Sequence, residues 1–172
     1  MSRLRRIEQR ERYFFITTNL APNVPELSQE ERSLVLVQLD STRLKCGFLL
    51  FAYVVMPTHV HLLLWPQRSD LTSILRHFKS RSSLALAARR GSRGPFWQPR
   101  FFDFICRRVK DFHAKIEYIH GNPVEAGLTK RPQDWQWSSA AAHLHRGASP
   151  ISVDIARLPV DGNAVLWPAP WA

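Results

Sequence analysis

His59-Val60-His61 lies within Ala52–Trp65, a stretch crowded with apolar and β-branched residues that reads as two strands broken at Met56-Pro57-Thr58. Side chains at i and i+2 of a strand point the same way, so the two imidazoles leave one face together while Val60 and Leu62 anchor the other. Two imidazoles at that separation can clamp one divalent metal ion. Farther along, Tyr118 and Asn122 stand four residues apart in a helical segment and share one face of it. Laid over the sheet histidines, they would complete a three-ligand metal site with a hydroxyl nucleophile beside it. Tyrosine is a covalent nucleophile, but a free phenol has a pKa of ~10 and needs help at neutral pH. A metal that polarises a phosphoryl oxygen supplies part of that help.

Taken singly, these residues have plainer readings. A strand His-X-His can be incidental, and zinc hydrolases use the same spacing. A helical tyrosine commonly packs its ring in the core with the hydroxyl at the surface. Asn before Pro commonly stops a helix. His113, His120, His143 and His145 read as surface or structural residues.

The elements that must position the pair can be read along the chain. Tyr13–Leu20 is a first strand, broken off by Pro22 and Pro25. Ser28 and Glu31 form a capping box that opens a helix, and Gly47 closes it. Phe48–Val55 and His59–Trp65 follow as paired strands. Asp70 caps a second helix whose apolar stripe includes Leu71, Ile74, Leu75, Phe78 and Leu86. Phe101–Arg107 is a fourth strand. A third helix starts at Asp111 and ends near Gly121 or Asn122, before Pro123. The order β-α-β-β-α-β is that of an α+β, ferredoxin-like antiparallel sheet with its helices on one face. The chain divides into a domain over residues 1–147, which carries a basic N-terminal arm, and a Pro-rich tail over 148–172.

Composition narrows the partner. The 172 residues contain 24 Lys+Arg against 14 Asp+Glu, a net charge of +10. Such a surface concentrates polyanions, with nucleic acid ahead of an acidic membrane. No apolar run approaches the ~18 residues that span a bilayer, and the basic start Met1–Arg6 lacks a signal peptide's apolar core. Cys46 and Cys106 lack metal-like spacing and read as buried, reduced thiols. A cytoplasmic location is expected.

Four motifs occur in order: Met56-Pro57-Thr58-His59-Val60-His61-Leu62, Trp97-Gln98-Pro99-Arg100-Phe101, Tyr118-Ile119-His120-Gly121-Asn122-Pro123-Val124-Glu125-Ala126-Gly127-Leu128, and Trp135-Gln136-Trp137-Ser138-Ser139. From about Tyr13 to Ser139 the chain resembles the single-tyrosine HUH transposases, most closely the REP-associated tyrosine transposases of bacteria. The resemblance implies an HUH-type sheet. It implies that His59, His61 and Asn122 bind Mg²⁺ or Mn²⁺ and that Tyr118 is the nucleophile. It also implies cleavage of single-stranded DNA next to a hairpin, through a 5′-phosphotyrosine link, by a monomer or a homodimer. Two departures stand out. Many relatives carry Asn where this chain has Thr58, and Gly121 is a weak helix former that would loosen the helix end near Asn122.

Phosphate and base contacts are expected from Arg3, Arg5 and Arg6 in the arm, from Lys79, Arg81, Arg100, Arg107, Arg108 and Lys110, and from Trp97 among Phe96, Phe101 and Phe102. The rival readings are a non-catalytic regulator that binds structured DNA or RNA, and a zinc hydrolase that uses metal-bound water.

Overall fold

β1 (Tyr13–Asn19), α1 (Gln29–Cys46), β2 (Phe48–Val55), β3 (His59–Pro66), α2 (Leu71–Arg90), β4 (Phe102–Cys106) and α3 (Val109–Glu125) follow one another in a computed structural model that describes residues 12–144 and 149–159. The strands form one sheet in the order β2-β3-β1-β4, with every pair antiparallel. This is the expected α+β, ferredoxin-like arrangement. Arg3, Arg5, Arg6 and His145 lie outside the described residues.

Local chemistry sets the helix ends. The Ser28 N–H donates to Glu31 Oε2 at 2.8 Å and the Glu31 N–H to Ser28 Oγ at 3.3 Å, which satisfies two otherwise unpaired donors. α1 stops at Gly47, whose φ of 66° is left-handed and whose missing Cβ leaves room for the Arg68 guanidinium. Asp70 opens α2 by accepting from the Ser73 N–H at 2.8 Å.

The pleat divides the sheet into two faces. Ile16 lies opposite Leu62, and Phe14 opposite Leu64; these residues, with Tyr53, face α1 and α2 and are almost fully buried. Phe15, Thr17 and His61 face the other way, toward α3. There Phe112 packs edge-on to Tyr13 and Phe51, each at 5.1 Å. The helices therefore cover both faces of the sheet rather than one, and α3 has the histidine face to itself.

α3 differs from its expected span at both ends. It begins at Val109, because Asp111 lies inside the first turn and accepts from the Arg108 N–H at 3.2 Å. It continues through Pro123 to Glu125. The proline removes one ladder bond, but its ring is buried, and the N–H groups of Ala126 and Leu128 bond back to the carbonyls of Asn122 and Pro123. β4 is one residue shorter at each end than the sequence indicates.

The outer edge of β2 is closed by the later chain. Val55 N–H donates to Trp137 O, Ser139 N–H to Tyr53 O, and Tyr53 N–H to Ser139 Oγ. Leu50 N–H donates to Asp154 Oδ2 at 2.8 Å, and Arg43 pairs with the same carboxylate at 2.8 Å. The Trp-Gln-Trp-Ser-Ser motif thus caps a sheet edge, protecting it from pairing with other chains. Residues 149–159 pack onto the domain, with Ile151 buried and Tyr53 Oη 2.7 Å from Ser149 Oγ. Both cysteines are buried and free. Among the described residues, no helix is long and apolar enough to cross a membrane.

Candidate active site

The turn before β3 aims the first histidine. Met56 N–H donates to His59 O and Leu20 N–H to Thr58 O, each at 2.8 Å, so the turn is tied to the end of β1. β3 is an interior strand, and its register sets His59 opposite Asn19 and His61 opposite Thr17. The two rings stand 4.6 Å apart. Each Nδ1 has a hydroxyl partner: Thr17 Oγ1 at 2.9 Å from His61, and Thr58 Oγ1 at 3.0 Å from His59. Those partners orient the rings and leave both Nε2 atoms turned toward α3. Thr58 thus orients the histidine directly, from the turn that precedes the strand.

α3 supplies the rest. Lys115, Tyr118 and Asn122 recur at three- and four-residue spacing and face the sheet histidines, while Phe112, Ile116 and Ile119 are buried beneath them. Asn122 Oδ1 comes within 3.2 Å of His59 Nε2. Gly121 does not loosen this contact, because the helix runs four residues beyond it. The Tyr118 ring lies 5.3 Å from His61 and edge-on to Phe15 at 5.7 Å, and the residue is 43% exposed. Together these groups line an open cleft of about 550 Å³.

Burial controls the protonation of the pair. It pushes the His61 imidazole down to about 3, helped by the nearby charges of His59 and Lys115. Burial also lowers His59, partly opposed by its hydrogen bond to Asn122. Both rings are therefore neutral near pH 7, the form that binds metals. His61 Nε2 is buried without a hydrogen-bond partner, and in the tautomer whose Nδ1–H donates to Thr17 Oγ1 it carries an unused lone pair. A cation facing that atom would satisfy it.

Among the described residues, no cluster of three or more His, Cys, Asp or Glu occurs. The available donors are two imidazole nitrogens and one amide oxygen, all uncharged. That set suits a divalent ion that fills its remaining positions with phosphate and water oxygens.

The outer residues divide. Trp97, expected to stack on bases, is a core residue instead: it is 4% exposed, donates to Ser82 Oγ at 2.8 Å and packs on Phe78. Phe96 is buried as well, whereas Phe102 is 57% exposed and edges the cleft. Lys79 is half-buried, and its ammonium donates to the carbonyls of Gln98, Pro99 and Arg100. That bonding makes it a staple for the 98–100 loop, not a free phosphate contact. Arg81, Arg100, Arg107, Arg108 and Lys110 are exposed.

Four cleft residues escape the sequence reading: Thr17, Asn19, Lys115 and Phe15. Alternation from Phe15 would have flagged the first two, and the three-residue step to Tyr118 the third. Of the two readings open for His120, surface or structural, it takes the structural one: it is buried, with Nε2 2.8 Å from Ser139 Oγ, and anchors α3 to the motif that caps β2.

A four-stranded antiparallel sheet with a histidine pair on an interior strand, beneath a helix-borne tyrosine, is the HUH type of fold. The sequence pattern of the family described as "Transposase IS200 like" matches residues 27–122, and the chain belongs to that family. A REP-associated tyrosine transposase of Escherichia coli (strain K12) is 29% identical over 154 residues, which cover 88% of this chain and 90% of the relative. A solved structure of a REP-associated tyrosine transposase bound to a REP hairpin superposes with a TM-score of 0.70 at 24% identity, over 90% of this chain and 92% of that one.

Proposed function

We propose that this transposase cuts and rejoins single-stranded DNA beside a REP-type hairpin, with Tyr118 as nucleophile and with His59, His61 and Asn122 holding Mg²⁺ or Mn²⁺. The observation that carries this reading is the convergence of Tyr118, both imidazoles and the Asn122 amide on one cleft, from positions on a strand and a helix that lie more than fifty residues apart in the chain. The names of the relatives supply the hairpin.

In the forward step Tyr118 Oη forms a bond to the scissile phosphorus, and the bond from phosphorus to the 3′ oxygen breaks. The phenolic proton is lost and the departing 3′ oxygen gains one. The products are a 5′-phosphotyrosine and a free 3′-hydroxyl, and the reverse step rejoins strands. When bound, the ion would polarise a phosphoryl oxygen. The protein's own part is preorganisation. Thr17 and Thr58 fix the imidazoles, burial keeps them neutral, and Phe15 braces the Tyr118 ring at the cleft wall. The exposed arginines around the 98–110 segment give the DNA backbone an electrostatic track. The enzyme works in the cytoplasm, as a monomer or a homodimer.

The test mixes purified protein with labelled hairpin-flanked single strands, in Mg²⁺ or Mn²⁺ and in EDTA, on a denaturing gel beside Tyr118→Phe. A metal-dependent covalent adduct that the variant lacks is expected. An adduct that persists in Tyr118→Phe would remove the tyrosine from the chemistry. Binding without any adduct would favour a recognition module with no reaction.

A further inference from the structure

The cleft holds a cation of its own. Lys115 lies one turn before Tyr118 on α3, and its Nζ is 4.5 Å from the centre of the Phe15 ring, 4.8 Å from Phe104 and 5.5 Å from Tyr118. A surface lysine ordinarily extends its ammonium into water and buries only its stem. This one is half-buried and turned onto three aromatic rings. Each ring face attracts a cation weakly, but none replaces the hydrogen bonds that water gives an ammonium. No carboxylate forms an ion pair with Lys115 among the described residues. Among the described residues no acceptor takes its three N–H donors, and it faces the same space as His61 and Tyr118.

That space is where a phosphodiester must sit if Tyr118 is to reach its phosphorus. We propose that Lys115 is a further catalytic residue, whose Nζ donates to a non-bridging oxygen of the scissile phosphate from the α3 side of the cleft. The inference rests on the tyrosine-transferase reading above. As the new Oη–P bond forms, negative charge builds on the non-bridging oxygens before the 3′ oxygen departs. A fixed cation at that position stabilises the build-up without giving or taking a proton. The aromatic rings position the ammonium without competing for its protons, as a carboxylate would. Lysine also acts as a point charge here, so arginine should substitute in part.

The experiment has two arms. In the first, single-turnover cleavage of hairpin-flanked single strands in Mn²⁺ is measured for the full-length protein, Lys115→Met and Lys115→Arg. Lys115→Met should lose about 10²-fold in rate, as removal of one charge-stabilising donor does, while Lys115→Arg recovers much of the loss. In the second arm, binding is measured in the Tyr118→Phe background, on DNA with either the natural scissile phosphate or one neutral methylphosphonate at that linkage. Lys115→Met should weaken binding of the charged linkage and leave the neutral one unchanged. An equal loss on both linkages would overturn the proposal by reducing Lys115 to a packing residue. A normal cleavage rate in Lys115→Met, alongside a wild-type adduct, would overturn it and leave the tyrosine reading intact. A wild-type protein that forms no adduct with any ion would overturn both.

Discussion

His59 and Asn122, 63 positions apart in the chain, meet at 3.2 Å between Nε2 and Oδ1. The contact joins the start of a central strand to the last turns of α3. It fixes the helix over the cleft at the level where Tyr118 reaches the histidines. Hydrogen-bonded as they are, the two atoms already converge on one point, so an ion taken up there would replace a proton bridge with little rearrangement.

His59 and His61 should fail differently when removed. His61 is 3% exposed, so His61→Ala opens a buried hole and strands the Thr17 hydroxyl, at a cost of about 2–3 kcal/mol. His59→Ala, at the cleft surface, should cost under about 1 kcal/mol. Both should abolish Mn²⁺ binding seen by calorimetry. Chemical denaturation separates the two effects, and equal stabilities would contradict the burial difference.

Stability should depend on pH through buried histidines. In the folded protein, burial holds both His61 and His120 at about 3, well below the ordinary histidine value. As pH falls, the unfolded chain therefore takes up protons before the folded one does, and stability drops. Above the ordinary value near pH 6.5 the contribution is complete; below it, each group removes about 1.4 kcal/mol per pH unit. Denaturation in EDTA at pH 7, 6 and 5 should show that decline. A flat profile between 6 and 5 would mean that the rings are wetter than their packing implies.

Trp97 should behave as a core residue. Trp97→Ala should cost about 3–5 kcal/mol, and any loss of DNA binding should track the fraction unfolded. Lys79→Met removes the donor to three loop carbonyls and should cost about 1–2 kcal/mol, with a small effect on binding at saturating stability. A Trp97→Ala protein that stays fully folded but loses DNA would restore the base-stacking role.

Exposed cations should report through salt. If Arg107, Arg108 and Lys110 each meet a phosphate, each alanine variant should flatten the plot of log affinity against log salt by about 0.7, the single-strand value per contact. Unchanged slopes would mean that the DNA runs elsewhere.

Much of the site was legible because alternation and helical periodicity are local rules. His59 and His61 share a face by strand geometry, and Tyr118 and Asn122 by helix geometry, before any tertiary contact is known. The caps at Ser28, Asp70 and Gly47 are equally local, and each marks an observed boundary. What sequence could not resolve depended on long-range packing. Pro123 reads as a stop, yet its burial and the bonds around it carry α3 onward. Trp97 and Phe102 stand five residues apart in one aromatic cluster, and only the position of α2 separates the core ring from the exposed one. Lys115 has no neighbour in sequence to distinguish it from any helical lysine, because its partners come from β1 and β4.

Lys115, Tyr118 and Asn122 ride on one rigid rod, and that sets how the enzyme can and cannot be altered. One residue added inside α3 would rotate everything beyond it by about 100° and carry reactive groups off the cleft together. The connection ahead of Val109 is only Arg107-Arg108, with the Arg108 N–H bonded to Asp111, so a residue added there would shift the whole rod against β4 and move the reactive trio as one body. Length variation in this lineage is therefore expected to collect in the longer 91–101 connection and to spare the helix and its lead-in.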